Sequence, residues 1–166
     1  MLKKEIQDAL NEQIAMERTA SRTYLSLAIW ADVEGYEGAA KFWYAQSQEE
    51  YGHMMKIIQF MIEADAKPEV KETDEPNPKI TQFKEMFEYG LKAEQEVTKS
   101  IHQKTELAMQ HKDFATFNFL QWFITEQVEE ENSMRTILDK INLLEKHGGS
   151  LYMLDKELGS IRGDAE

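Results

Sequence analysis

The sequence predicts an all-α fold, a four-helix bundle with one long crossover between its second and third helices and a short fifth helix near the C-terminal end. Three observations lead there. All three prolines fall between Pro68 and Pro78. The segments on either side lack proline and are rich in Ala, Leu, Met, Glu, Gln and Lys, which lose little on entering a helix. Apolar residues in those segments recur at steps of three and four, the spacing of one helix face.

Each element then follows in order. A first helix is expected over about 2–34 and a second over about 37–65, with Gly35 and Gly38 breaking the run between them. The stretch from Lys67 to Pro78 is polar and cannot continue a helix, because proline lacks the backbone N–H and biases its predecessor toward extended backbone. A third helix is expected over about 80–109, a break at Gln110-His111-Lys112-Asp113 with Asp113 as cap, and a fourth helix over about 113–146. Gly148-Gly149 ends it, and an amphipathic tail gives a short fifth helix at about 150–160. The linker, about 66–79, can reach ~45 Å when extended. A 30-residue helix is also ~45 Å long. The linker can therefore run the length of the bundle and set the second and third helices parallel. The chain is read as a single domain, 1–166, with the bundle at about 2–146.

Composition narrows the function. Nineteen basic against 31 acidic side chains give a net charge of -12, which argues against nucleic acid and against an anionic membrane surface, and is compatible with cations as partners. With no cysteine there is no disulfide, zinc–thiolate site, cysteine nucleophile or cysteine-ligated cluster. No apolar run approaches the ~20 residues of a transmembrane helix, and the start Met1-Leu2-Lys3-Lys4-Glu5 does not resemble a signal peptide, so the expected location is the cytoplasm.

The inward stripes carry the chemistry. They read Ile6, Leu10, Ile14, Glu17, Ser21, Tyr24, Ala28 on the first helix and Ala39, Trp43, Gln46, Glu50, His53, Ile57, Phe60, Ala64 on the second. The third reads Phe83, Phe87, Gly90, Glu94, Val97, Ile101, and the fourth Phe117, Leu120, Phe123, Gln127, Glu130, Met134, Ile141. Every stripe is interrupted near its middle by carboxylate, amide or imidazole where an apolar residue is expected. The interruptions repeat: Glu17 to Glu94, Glu50 to Gln127 and His53 to Glu130 are each 77 residues apart. Measured from the turns at ~1.5 Å per residue, the groups converge at one level.

Read alone, any one of these acids is an ordinary solvated helix face, and His53 alone an ordinary core histidine. Together, Glu17, Glu50, Glu94 and Glu130 would put four repelling charges into a bundle interior, which requires protons or cations. Two divalent metals supply four positive charges, and His53 adds a neutral nitrogen. Carboxylates with one imidazole and no sulfur suit iron or manganese, with zinc as substitute or inhibitor. Tyr24 lies seven residues after Glu17 on the same stripe, where it can bond to the site or donate an electron, and reads equally as plain packing. Glu49, Glu126 and Glu129, ~100° off the stripe, read either as a third cation site or as a solvated face. Trp30, Trp43, Trp122 and the nine methionines read as packing. His102, His111 and His147 receive no role.

At these residues a resemblance emerges. The set Glu17…Tyr24, Glu49-Glu50-Tyr51-Gly52-His53, Glu94 and Glu126-Gln127-Val128-Glu129-Glu130 resembles the bacterial non-haem ferritins, ferritin-like di-iron proteins, over essentially the whole chain. The resemblance implies a ferroxidase centre in which Glu17, Glu50 and His53 bind one iron, while Glu50, bridging, joins Glu94 and Glu130 on the second. Gln127 would be a close neighbour of that pair, and Glu49, Glu126, Glu129 and Glu130 would form a third iron site. It implies oxidation of Fe(II) by O2 or H2O2, storage as ferric oxyhydroxide, and a homo-oligomeric cage of 24 subunits.

Departures from related families also inform. Bacterioferritin carries a methionine between the Glu and His of the second helix for haem; here Tyr51-Gly52 fills the gap, so no haem is expected. The fourth helix carries Gln127-x-x-Glu130 in place of a second Glu-x-x-His, so the second metal lacks a histidine and is expected to be held more loosely. Rubrerythrins require cysteine-bound iron, which this chain cannot supply. Two alternatives stay open at this stage: a helical bundle that stores metal passively, and a di-iron oxidase or peroxidase that forms no cage.

Overall fold

The computed structural model describes residues 2–73 and 78–161; the centre of the expected linker, 74–77, lies outside them, as do Met1 and 162–166. Five helices form in the expected order: α1 Lys4–Val33, α2 Glu37–Glu63, α3 Phe83–Gln110, α4 Phe114–His147 and α5 Leu151–Ile161. α1 pairs with α2 and α3 with α4, and the two hairpins meet chiefly through α1 and α3.

The helix ends have local causes. Asp113 caps α4 as expected: its carboxylate accepts from Thr116 N at 3.1 Å and from Thr116 Oγ1 at 2.8 Å. α4 closes on Gly148 in the left-handed region, φ 72°, where Gly148 N donates to Leu144 O. α3 starts three residues later than the sequence suggests. Glu85 reaches back and its carboxylate accepts from Thr81 N at 2.7 Å and Gln82 N at 3.0 Å, so these residues serve as the cap of the helix rather than its first turn.

The crossover runs as its length permits. Glu69 N donates to Asn11 Oδ1, Arg18 to Lys71 O, and Arg22 to Thr73 Oγ1, so successive linker residues meet successive turns of α1. At its far end Phe83 packs edge-on against Tyr36, ring centroids 4.9 Å apart, and Phe87 lies 5.7 Å from Phe42. The second and third helices thus begin at the same end and run in parallel.

The core is divided. One apolar cluster gathers Tyr24, Leu27, Phe42, Trp43, Phe87 and Ile137 toward the end of the bundle that carries α5. A second gathers Leu10, Ile14, Ile57, Ile101, Leu120 and Phe123 toward the other. Between them lies a buried layer of acids, amides and one imidazole. Met54, Met61, Met86 and Met134 fill the core as expected, whereas Met55, Met109 and Met153 stand exposed. Gly90 lets the hairpins close: a Cβ there would lie 2.5 Å from the Trp43 ring.

Helix α5 is seated by a contact that the helical pattern does not announce. Its Asp155 carboxylate accepts from Gly38 N at 3.1 Å and Ala39 N at 2.8 Å, satisfying the first N–H groups of α2, whose own N-cap residue supplies no side-chain bond. The approach is so close that a Cβ on Gly38 would collide with Asp155 O at 1.6 Å.

Candidate metal centre

The four helices bring their interrupting residues together. Glu17 from α1, Glu50 and His53 from α2, Glu94 from α3 and Glu130 from α4 are all at most 4% exposed. Glu17, Glu50 and His53 each present a ligand-type atom within 4.8 Å of the others, a spacing one cation can bridge. His53 Nδ1 lies 3.2 Å from Glu50 Oε2, as the three-residue offset on a helix allows.

Glu17, Glu94 and Glu130 are each held by neutral donors. Gln13 Nε2 donates to Glu17 Oε1 at 2.7 Å. Gln46 Nε2 donates to Glu130 Oε2 at 3.1 Å. The Tyr24 hydroxyl donates to Glu94 Oε1, and Gln127 Nε2 donates to Glu94 Oε2 at 3.0 Å. Tyr24 and Gln127 therefore stand against the site, as their stripe positions suggested. Gln46 was visible on the stripe without a role. Gln13 was missed; its signal was its place one helical turn before Glu17.

Two acceptor atoms remain unused. Glu17 Oε2 and Glu50 Oε1 are buried with no donor among the described residues, and the two carboxyls stand close enough to share a proton when Glu17 is protonated. Burial raises the Glu17 carboxyl well above the usual carboxylate range, and neighbouring Glu50 adds to the rise while the Gln13 bond opposes it. Burial raises Glu50 likewise, reinforced by Glu94. In Glu94 burial outweighs the donations from Tyr24 and Gln127, so it too is raised. Burial and the negative charge of Glu94 push the Tyr24 phenol up. Without cations the layer must take up protons. With divalent cations, the unpartnered oxygens acquire the partners they lack. The residues present therefore fit a cation held by Glu17, Glu50 and His53, with Glu94 and Glu130 buried in the same layer.

The outer acids divide. Glu49 and Glu126 form a second group with His53, their ligand atoms within 4.8 Å of one another. Glu129 is exposed and is not part of that group, though it lies near enough to Glu126 to act on it electrostatically. Trp122 is not simple core packing: its ring meets His53 edge-on at 5.4 Å and carries Lys56 Nζ over its face at 4.1 Å.

An antiparallel bundle with one long crossover and a mid-core layer of carboxylates and histidine is the architecture of the ferritin-like four-helix bundles, whose cores can hold metal between facing helices. Comparisons narrow it. The family model for the ferritin-like domain matches residues 7–144. A bacterial non-heme ferritin of Campylobacter jejuni is 40% identical over 97% of this chain and 96% of its own length. One from Staphylococcus aureus is 37% identical over the full length of both. Among solved structures, an open-pore ferritin from Archaeoglobus fulgidus superposes with a TM-score of 0.92 at 39% identity, covering 96% of this chain and 99% of that one. The chain belongs to the ferritin family. No helix among the described residues is long and apolar enough to cross a membrane.

Proposed function

We propose that this chain is the subunit of an iron store that oxidises Fe(II) at a paired site within each subunit. The observation that carries the reading is the pair of buried, unpartnered oxygens, Glu17 Oε2 and Glu50 Oε1, in a layer whose acids come from all four helices. In this reading Glu17, Glu50 and His53 take one Fe(II), and Glu50, Glu94 and Glu130 take the second. Two divalent ions offset the four carboxylate charges that burial otherwise forces toward protonation. Each Fe(II) gives up one electron, and the two electrons reduce O2 to the peroxide level or H2O2 to water. Tyr24 and Gln127 hold Glu94 in place during the change of charge. Glu49 and Glu126, grouped with His53, offer a third iron position at the edge of the pair, where Fe(III) can pass on, with exposed Glu129 adding negative charge beside it. The lack of an imidazole from α4 suits a second position that releases its ion.

The ferric product accumulates as oxyhydroxide mineral inside a homo-oligomeric cage of 24 copies, without haem and in the cytoplasm. Exposed apolar residues such as Ile29, Val33, Val128, Tyr152 and Met153 support association with further copies. The net charge of -12 favours cations as cargo.

Stopped-flow absorbance after mixing two Fe(II) per subunit with oxygen tests the reading. The wild type is expected to oxidise the pair rapidly, and His53→Ala and Glu130→Ala each to lose that phase at least about tenfold. Rapid oxidation surviving both substitutions would refute the assignment of the centre. Size-exclusion chromatography tests the cage: 24 chains of 19.4 kDa elute near 470 kDa, and a monomer or dimer does not.

A further inference from the structure

A chain of buried polar groups leads away from Glu17 across the contact between α1 and α3. Lys104, 7% exposed, donates from Nζ to Ser100 Oγ at 2.6 Å. Ser100 Oγ donates to Gln13 Oε1 at 2.7 Å, and Gln13 Nε2 donates to Glu17 Oε1 at 2.7 Å. Lys104 and Ser100 belong to α3, Gln13 and Glu17 to α1.

The direction of this chain is set at its cationic end. An ammonium group has donors only. The Ser100 oxygen must therefore accept from Lys104, which turns its own proton toward Gln13. The Gln13 oxygen must then accept, which leaves the amide NH2 facing Glu17. With the amide reversed, a carbonyl oxygen would face a carboxylate oxygen across a buried contact, two acceptors with no proton between them. Lysine ordinarily extends its head to water along an apolar stem. Here the head turns inward onto Ser100 despite the cost of desolvation, and the negative charges of Glu12 and Glu17 oppose that cost.

We propose that Lys104, acting through Ser100 and Gln13, is a positioning residue that fixes the Glu17 carboxylate with Oε1 held by protein and Oε2 free for metal. The inference rests on the metal-centre reading above and deepens it. Lys104 touches neither substrate nor oxidant. It sets which way each hydrogen bond points, and so the orientation in which Glu17 meets its ion. The bare carboxylate could rotate; the anchored one is ready before the ion arrives. That lowers the cost of ordering the ligand on binding.

Cobalt(II), which is not oxidised by air on mixing, reports the site by its visible absorption in the full-length protein. Bands lost in Glu17→Ala identify the Glu17 position. Lys104→Met keeps the stem and removes the cation; Ser100→Ala removes the relay hydroxyl; Ser100→Thr keeps it. We expect Lys104→Met and Ser100→Ala each to weaken cobalt at the Glu17 position about tenfold, and Ser100→Thr to stay within about twofold of wild type. A merely structural role of the lysine stem would leave the Lys104→Met affinity unmoved. Variants binding within about twofold of wild type, or Ser100→Thr losing as much as Ser100→Ala, would overturn the inference while leaving the metal centre intact. A wild-type protein with no Glu17-dependent bands would overturn the metal-centre reading and this inference with it.

Discussion

The Tyr24 hydroxyl on α1 donates to one oxygen of Glu94 on α3, while Gln127 on α4 donates to the other oxygen at 3.0 Å. Three helices thereby orient one carboxylate, and the Gln127 amide also reaches the Glu94 backbone oxygen at 3.2 Å. A Tyr24→Phe variant keeps the ring packed 5.1 Å from Trp43 and removes only the donor. On the proposed function, Fe(II) oxidation should slow about tenfold with two Fe(II) still taken up per subunit. Stopped-flow rates at increasing iron-to-subunit ratios check this, and an unchanged rate would mean Tyr24 is packing alone.

Stability without metal should fall as pH rises on account of the buried acids. Glu17 and Glu50 have folded carboxyls well above their value of 4.5 in the unfolded chain. Their contribution is fully present below that unfolded value and is lost as pH rises through the raised folded values, since the folded state must then hold uncompensated charge. Melting with chelator at successive pH values above 4.5 should show this decline, and Glu50→Gln should flatten it. Metal should reverse the trend, because its ligands bind ionised: affinity rises with pH and protons are released on binding. Calorimetric titration in two buffers of different protonation enthalpy measures that release.

Two helical glycines should respond oppositely to alanine. A Cβ at Gly90 would press to 2.5 Å from the Trp43 ring, whereas at Gly52 it meets nothing within 4 Å. Overpacking should make Gly90→Ala destabilising by about 1–3 kcal/mol. Gly52→Ala should stabilise by about 0.5–1 kcal/mol through helix propensity. At this chain length each kcal/mol moves the melting temperature by about 2–4 °C. Thermal melts of the two variants that shift in the same direction would contradict the packing described.

The seat of α5 can be tested at one side chain. Asp155→Ala leaves the Gly38 and Ala39 N–H groups without the carboxylate that caps them. The loss should be about 0.5–2 kcal/mol, as for other N-cap removals. Hydrogen exchange should accelerate at the first turn of α2 and over α5, with the central acid layer unaffected. Uniform acceleration through all helices would show that α5 holds more than its own docking site.

Much of the buried polar layer was legible because it is written twice. Glu17 and Glu94, Glu50 and Gln127, and His53 and Glu130 share one offset of 77 residues, and each sits where an amphipathic stripe demands an apolar side chain. A helix makes such a stripe a near-linear code, so which residues face inward can be counted off. The supporting groups had no such signature. Gln13 and Ser100 are ordinary polar residues at the margins of their stripes, and Lys104 reads as a solvated base until α1 lies against α3. The outer acids were legible as a cluster, but their grouping was not. His53 joins Glu49 and Glu126, while Glu129 is exposed and outside that group, a distinction of rotation about a helix axis that spacing resolves only coarsely.

By itself the sequence determined the helices, the linker and the acidic interruptions, since propensity, proline and a 3.6-residue period are properties of neighbours along the chain. It also determined the parallel course of α2 and α3, through the reach of the connecting segment. Only the tertiary structure decided which donor holds which carboxylate, that Glu17 Oε2 and Glu50 Oε1 are left without partners, and that Asp155 closes the start of α2. Those outcomes depend on the rotation and height of separate helices to within the length of a hydrogen bond. That precision comes from packed contacts such as Trp43 against Gly90, which join residues far apart in the chain.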